Sequence, residues 1–173
     1  MRKIGSLETE ERFLRGNIIM SFDNIIKLDP SEYEKCNNIW DMQRHPDKAK
    51  LWYDQLVSGN RITFIYRDNG EFVGECSLLF DRGDPDYTIP QQRIYLSRMI
   101  VKREFRNRGI GGILIDYIVD YAQKLGYKEM SLGVDIDNLA ARHLYEKKGF
   151  TEVIFHGTDQ DGEYVKLLKK LQP

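Results

Sequence analysis

The sequence predicts an α/β or α+β domain built on a mixed sheet with flanking helices. Three observations predict it. Segments rich in β-branched and aromatic residues recur along the whole chain. One segment, residues 110–125, carries apolar residues at helical spacing over about four turns. Strand-like and helix-like segments alternate instead of occupying separate halves, which is typical of a sheet covered by helices.

Composition restricts the class of protein. A chain of 173 residues with 41% hydrophobic and 31% charged residues is expected to form about one globular domain. Its 26 basic and 27 acidic residues give a net charge of −1, which argues against nucleic-acid binding through bulk charge. The two cysteines lie far apart and the three histidines are scattered, so no metal site is predicted. No apolar run has the length of a membrane span, and we expect a cytoplasmic protein.

The first third of the chain is predicted to hold a strand and two helices. The charged residues 1–16 form either an arm or a short helix, and we treat them as an extension before a single domain, 17–173. A strand is predicted over 18–28. Asp29 and Pro30 then favour a helix start, because Asp caps free N–H groups and Pro fits the first helical position. A second helix is predicted over 47–57.

The middle of the chain predicts three strands. Strands over 61–67 and 71–80 flank Asn69-Gly70, a dipeptide typical of tight hairpin turns. The polar segment 81–86 is predicted to be a loop. A third strand is predicted over 93–101, with Ile94, Leu96 and Ile100 in its alternating positions.

The last third predicts two helices and further strands. The helix over 110–125 is ended by Gly126, and a strand follows over 128–134. Asn138 is predicted to cap a helix over 139–148. The remaining predictions are a strand over 150–155, a turn over 157–162 and a closing segment over 164–171 that fits either helix or strand.

The segment between the strand at 93–101 and the helix at 110–125 is rich in basic residues and glycine. Residues 102–108 contain four basic side chains and one acidic one. The first N–H groups of a helix lack internal partners and favour anions, and Gly109, Gly111 and Gly112 permit close approach of a phosphate. The Walker A pattern and the dinucleotide fingerprint both fail, because Gly112-Ile113 follows Gly111 and Leu114 occupies the last glycine position. The alternative to a phosphate-binding site is a solvent-exposed basic turn with no ligand.

A second segment, residues 138–150, predicts a short capped helix that leads into a strand. Taken with the glycine loop, it makes a linked pair of motifs. Arg106-x-x-Gly109-x-Gly111, followed by Asn138-x-x-Ala141-x-x-Leu144-Tyr145 and then Gly149-Phe150, resembles the GNAT superfamily of N-acetyltransferases. The resemblance is specific over about 93–155 and loose over 18–80. It implies the acyl-CoA N-acyltransferase-like fold, with a mixed and mostly antiparallel sheet.

The resemblance implies acetyl-CoA as co-substrate and assigns residues to it. Backbone N–H groups of the glycine loop would hold the pyrophosphate, the end of the preceding strand would pair with the pantetheine arm, and the second motif would contact the same molecule. The cofactor-binding positions implied in this way are Met99, Ile100, Val101, Arg106, Arg108, Gly109, Ile110, Gly111, Gly112, Asn138 and Ala141.

The resemblance also implies direct acetyl transfer to a primary amine within a ternary complex. Tyr145 would protonate the departing thiolate, and a phenol whose pKa is near 10 stays protonated at neutral pH. Some relatives carry a glutamate base on the strand before the glycine loop, but residues 93–99 contain no carboxylate. Glu75, on the preceding strand, is the predicted substitute. A water chain or desolvation of the amine is the alternative. His143 is read as a surface or packing residue.

Other functions stay open at this point. A non-catalytic acyl-CoA-binding or sensor module on the same fold is the main alternative, and a nucleic-acid binder using the basic loop is a weaker one. The acceptor is either a small-molecule amine or a protein amino group, held by the N-terminal helices and the loop at 81–92. In that loop Asp81, Asp84 and Asp86 either attract a cation or are simply solvated. No nucleic acid or membrane partner is predicted, and the resemblance makes a homodimer an option.

Overall fold

The computed structural model describes residues 13–15, 18–20 and 22–172, the first two segments by their backbone alone. Strand β1 (Phe13–Arg15) pairs antiparallel with β2 (Ile18–Met20) in a separate two-stranded sheet. Most of the predicted extension, 1–16, therefore lies outside the described residues, and the boundary at residue 17 stays a prediction.

A seven-stranded mixed sheet forms the centre of the molecule. All its neighbouring pairs are antiparallel except β6 with β7, which is parallel. The order across the sheet is β3-β4-β5-β6-β7-β9-β8. The strands are β3 (Ile25–Lys27), β4 (Arg61–Asp68), β5 (Glu71–Leu79), β6 (Arg93–Val101), β7 (Glu129–Asp135), β8 (Glu152–Asp159) and β9 (Gly162–Lys170). The α/β architecture with a mixed, mostly antiparallel sheet confirms the predicted fold class.

Helices cover both faces of this sheet. They are α1 (Pro46–Ser58), α2 (Ile110–Lys124) and α3 (Leu139–Lys147), with 3-10 helices at Phe22–Asn24, Pro30–Asn38 and Arg103–Phe105. The Asp29 side chain caps the second of these 3-10 helices by accepting from the Ser31 N–H at 2.8 Å. Among the described residues, no helix is long and apolar enough to cross a membrane.

The two faces of the sheet differ in character. The face toward α2 and α3, here the α2 face, carries the larger apolar core, in which Leu114, Ile115 and Ile118 are fully buried. The opposite face, here the α1 face, is covered by the 3-10 helix Pro30–Asn38 and by α1. Its core is smaller and mixes aromatic with charged side chains.

A β-bulge in β6 decides which side chains reach each face. Opposite β5, Leu78 pairs with Leu96 and Ser77 pairs with Arg98, so Ser97 is the inserted residue. Beyond the bulge the alternation is inverted, and Met99 and Val101 pack on the α2 face. Ile100 packs on the α1 face. The predicted alternation of Ile94, Leu96 and Ile100 on one face is therefore wrong, because the inserted residue reverses the side-chain order.

Strands β6 and β7 are joined over only part of their length. Their parallel pairing covers Arg93–Tyr95 with Glu129–Ser131 and then stops, although both strands continue. The C-terminal half of β6 thus has a sheet neighbour, β5, on one side alone. A gap opens between the two parallel strands at the edge where α2 and α3 begin.

Three predicted elements differ from the structure. The strand predicted over 18–28 is two strands separated by the 3-10 turn Phe22–Asn24, and the helix begun at Asp29 is 3-10 rather than α. The turn predicted over 157–162 is only residues 160–161, because β8 extends to Asp159. The closing segment, left open between helix and strand, is β9.

The packing of α2 on the sheet gives a stability prediction. Leu114 is fully buried, and its Cδ1 would lie 3.2 Å from a Cβ added at Gly74, so this leucine lies directly on β5. Leu114→Ala should lower the free energy of unfolding by about 3 to 5 kcal/mol in a urea titration, because it leaves a cavity. Leu139→Ala is the matched control: Leu139 is 71% exposed, so a change beyond about 0.5 kcal/mol there would contradict this packing account.

Candidate active site

The N-terminus of α2 is shaped by two residues of positive φ. Asn107 has φ 61° and Gly109 has φ 85°, and the chain turns sharply through them into the helix. The hydrogen bond from the Ile113 N–H to the Gly109 carbonyl, at 3.1 Å, opens the helical ladder. Because Gly109 has no side chain to cap the helix, the N–H groups of its first turn point outward unsatisfied by α2 itself. This is the arrangement that binds anions.

The basic side chains of the preceding loop also hold the backbone in place. The Arg106 Nε donates to the Val101 carbonyl at 2.9 Å, which ties the loop to the end of β6. Arg108 donates to the Glu104 carbonyl at 3.0 Å and lies over the Phe105 ring. Both guanidinium groups stay exposed, so they keep a positive field around the α2 N-terminus while they shape it.

Gly111 lies where β6, α2 and α3 meet. A Cβ added there would lie 3.3 Å from Leu144 Cδ2 and 3.4 Å from the Met99 Sδ and Cε atoms. Beside it, the Lys148 Nζ forms an ion pair with Asp116 at 2.6 Å and lies close to Gly112. Glycine at 111 therefore lets α2 pack closely on Met99 of β6 and Leu144 of α3. Two walls at this junction carry predicted cofactor residues.

The N-terminus of α3 forms the other wall. The Asn138 Oδ1 accepts from the Ala141 N–H at 3.2 Å, so Asn138 is the predicted helix cap. Its carbonyl oxygen is engaged in that cap, which leaves the amide nitrogen as the group able to reach a ligand. Asn138 and Ala141 thus lie at the same edge of the sheet as the glycine loop, beyond the end of β7.

Tyr145 projects from α3 into the core beside the gap. It is 7% exposed and packs edge-on against Phe150, with ring centroids 6.0 Å apart. Burial raises the pKa of its phenol, and interactions with Cys76 of β5 and Tyr95 of β6 raise it further. The phenol therefore remains protonated well above neutral pH, which is what a proton donor requires.

Glu75 lies on the α1 face and is already paired. Its carboxylate accepts a hydrogen bond from the Arg98 Nε, and only 4% of the Glu75 side chain is exposed. It also accepts from the buried Cys36 thiol; burial and this carboxylate both raise the pKa of that thiol. The structure thus places Glu75 in an ion pair, across the sheet from Tyr145 and its helix.

Around this ion pair lies a cluster that sequence reasoning missed. The Arg98 guanidinium packs against both the Trp40 and the Trp52 ring, 4.6 and 4.5 Å from their centroids, which themselves lie 5.2 Å apart. The Arg61 Nη2 donates to the Ser97 hydroxyl at 2.8 Å. No sequence signal identifies the cluster, because its members come from β4, β5, β6, α1 and the segment that follows the 3-10 helix Pro30–Asn38.

The loop at 81–92 is fixed to the α1 face by ion pairs. The Lys166 Nζ, on β9, donates to Asp84 at 2.8 Å and to Asp86 at 2.9 Å. Burial opposes the charge of this lysine, but the two carboxylates hold the pKa of Lys166 above its ordinary value. Asp81 accepts from the Gly83 N–H within its own turn. Asp84 and Asp86 therefore pair with Lys166, and Asp81 closes its own turn, so all three carboxylates take part in fixing the loop.

Comparison with known proteins gives the family. Residues 22–150 match the model of the Acetyltransferase (GNAT) family. A solved aminoglycoside 6'-N-acetyltransferase complexed with coenzyme A superposes with a TM-score of 0.69 at 16% identity, covering 86% of this chain and 97% of that one. At that identity the likeness shows the fold alone.

Two curated relatives share part of the sequence. The uncharacterized N-acetyltransferase YhfO of Bacillus subtilis is 33% identical over 100 residues, which span 57% of this chain and 64% of that protein. The N-alpha-acetyltransferase 30 of Schizosaccharomyces pombe is 30% identical over 90 residues, or 51% of this chain and 56% of that one. The chain thus spans less than two thirds of each relative. With the family model matched from the first 3-10 helix through Phe150, the chain belongs to the GNAT family of acetyltransferases.

Proposed function

We propose that this protein is an N-acetyltransferase that passes the acetyl group of acetyl-CoA directly to a primary amine within a ternary complex. The observation that carries the proposal is the gap between β6 and β7, next to the glycine-rich N-terminus of α2 (Gly109, Gly111 and Gly112). Open parallel sheets bind ligands at the carboxyl ends of their strands, and this gap lies at such an edge.

The residues at the gap fit acetyl-CoA. The pyrophosphate is assigned to the N–H groups of Arg108–Gly112, since these groups and the nearby guanidiniums favour an anion. The pantetheine arm is assigned to Met99–Val101, because this end of β6 pairs with β5 and leaves its other edge free of β7. Asn138 and Ala141 would contact the same molecule from the α3 wall.

The chemistry then follows from the thioester. A neutral amine attacks the carbonyl carbon, the carbon–nitrogen bond forms, and the carbon–sulfur bond breaks. A backbone N–H near Ile100 or Val101 would stabilise the negative charge that develops on the carbonyl oxygen. Tyr145 would give its proton to the departing thiolate, whose pKa near 8.5 makes the help of an acid modest.

Removal of the amine proton is assigned to Glu75, with water or desolvation as the alternative route. The ion pair with Arg98 and the low exposure of Glu75 support action through a water molecule rather than by direct contact with the amine. The same pairing is the observation that favours the second candidate function, a non-catalytic acyl-CoA sensor. Tight binding of acetyl-CoA with no transfer across a broad amine panel would select the sensor.

A side chain at position 111 should weaken cofactor binding. Gly111→Ala adds a Cβ only 3.3 to 3.4 Å from Leu144 and Met99, so the packing of the α2 N-terminus on β6 and α3 must shift. We expect the Kd for acetyl-CoA, measured by calorimetry, to rise at least about tenfold, because phosphate contacts to backbone N–H groups are charge-assisted.

The matched control for this variant is Asp120→Ala, on the exposed side of the same helix. It should leave the Kd unchanged. Gly111→Ala itself should fold, since alanine favours a helix over glycine by about 1 kcal/mol. An unaltered Kd in a folded Gly111→Ala protein would contradict the assigned pyrophosphate site.

Tyr145→Phe should separate chemistry from binding. The ring still packs on Phe150, so the Kd for acetyl-CoA should stay within about twofold. Turnover at saturating substrates should fall about 10- to 100-fold, because the proton donor is lost and the leaving thiolate is only moderately basic. The release of CoA thiol gives the rate.

The pH profile of the wild-type enzyme offers a further check on Tyr145. Because burial raises the pKa of Tyr145, wild-type turnover should not fall with an apparent pKa near 10, the ordinary phenol value.

The matched control for Tyr145→Phe is Tyr53→Phe, at a tyrosine of α1 that is 42% exposed, and its turnover should match wild type. Full turnover in Tyr145→Phe would remove the residue from the acid role.

A further inference from the structure

Arg98 is held more rigidly than an ordinary surface arginine. Its guanidinium packs against both Trp40 and Trp52, whose ring centroids lie 5.2 Å apart, and its Nε is fixed by the buried Glu75 carboxylate. Trp52 comes from α1 and Trp40 from the segment after the 3-10 helix Pro30–Asn38, while Arg98 and Glu75 lie on adjacent strands. A guanidinium held against two rings and at Nε has its two terminal nitrogens, Nη1 and Nη2, restricted to one direction.

Those terminal nitrogens have no acceptor within the part of the chain that the structure describes. The hydrogen bond of Arg98 to Glu75 uses Nε, and no other hydrogen bond of its side chain is formed there. The Arg98 side chain is 19% exposed, and its Nη1 and Nη2 do not belong to the side-chain nitrogens that are both buried from solvent and without a hydrogen-bond partner. They are therefore two free donors, in fork geometry, that a solute can reach.

The surroundings add unpaired donors and positive charge. Arg61 is 4% exposed, yet its Nη1 has no partner, and the Trp40 Nε1 is buried and unpaired as well. Burial lowers the pKa of Arg61 to about 10, so it still carries its charge at neutral pH. Two guanidiniums thus face one carboxylate, Glu75, and the cluster keeps a net positive charge that lacks an anion.

The position of Arg98 relates this cluster to the reacting group. Arg98 and Ile100 point to the same face of β6, and two residues along a strand span about 6.6 Å. The carbonyl of the thioester is assigned to the N–H groups near Ile100 and Val101. An anion on Arg98 and an amine at the thioester therefore lie within the reach of one small molecule.

We propose that the Arg98 fork binds the carboxylate of the acceptor, so that the acceptor is a small amino carboxylic acid. The proposal rests on the proposed function and names its substrate class. A planar carboxylate matches the two parallel donors of a guanidinium better than a single point charge does. The net positive charge of the cluster repels a polycationic amine. Asp84 and Asp86 of the loop at 81–92 do not offset this repulsion, because both already pair with Lys166.

Tryptophan fluorescence tests the binding step without any variant. The chain has two tryptophans, Trp40 and Trp52, and both pack against Arg98. The full chain, saturated with CoA, is titrated with each of the free amino acids and with the matching amino acid amides, which lack the carboxylate. We expect a saturable change in fluorescence with at least one amino acid, and an apparent Kd at least about tenfold weaker for its amide.

Kinetics with variants tests the fork itself. Arg98→Lys keeps the charge but loses the fork, and Arg98→Gln loses both. With the preferred amino acid, kcat/KM should fall about 10- to 100-fold in each variant, while the already low value for its amide changes less than about threefold. Arg67→Gln, at an exposed arginine of β4, is the matched control and should behave as wild type. Binding of acetyl-CoA by each variant reports whether its fold is intact.

The outcomes separate this inference from the proposed function. Acetyl transfer that is equally fast to amino acids and their amides, or fast only to polyamines or peptide N-termini, overturns the Arg98 assignment and leaves the acetyltransferase proposal standing. A clear preference for an aminoalkyl phosphate over an amino acid also overturns it. Absence of transfer to every amine, with acetyl-CoA bound, contradicts the proposed function, and the fluorescence titration still decides whether the fork binds a carboxylate.

Discussion

The candidate site is organised around the point at which β6 separates from β7. Two parallel neighbours pair at Arg93–Tyr95 and Glu129–Ser131 and then part, so the backbone of β6 loses its sheet neighbour on one side. Buried backbone groups need partners, and a gap bounded by an open strand edge and two helix N-termini offers them to a ligand. The α2 glycines lie at the mouth of this gap, where a side chain at position 111 would crowd Met99 and Leu144.

The bulge at Ser97 determines which side chains of β6 reach each face of the sheet. It directs Met99 and Val101 to the α2 face and leaves Arg98 and Ile100 on the α1 face. On the α1 face the charges fall into two kinds. The charge of Lys166 is matched by Asp84 and Asp86, and these ion pairs fasten a loop. In the Arg98 cluster the positive charge and the terminal N–H donors exceed what the single carboxylate of Glu75 can match.

Local patterns in the sequence predicted the elements that form the gap but not the α1-face cluster. The helical period of α2, the Asn69-Gly70 turn and the Asn138 cap are consequences of near neighbours, and the structure has all three. The bulge was missed because it depends on how β6 pairs with β5, which no pattern within 93–101 reveals. The cluster around Arg98 was missed for a related reason: its side chains come from five segments of the chain that only the folded sheet brings together. The ion pair of Glu75 with Arg98 could not be predicted for the same reason, because the two residues lie on different strands.

Hydrogen exchange with and without acetyl-CoA reports on the backbone N–H groups at the gap. We expect acetyl-CoA to slow amide exchange at least about tenfold in two separate segments, Met99–Val101 and Arg108–Gly112, as their N–H groups acquire partners. Exchange in β8, on the far edge of the sheet, should not change. Protection confined to α3 and β8, or no protection at saturating acetyl-CoA, would contradict the assignment of the gap as the cofactor site.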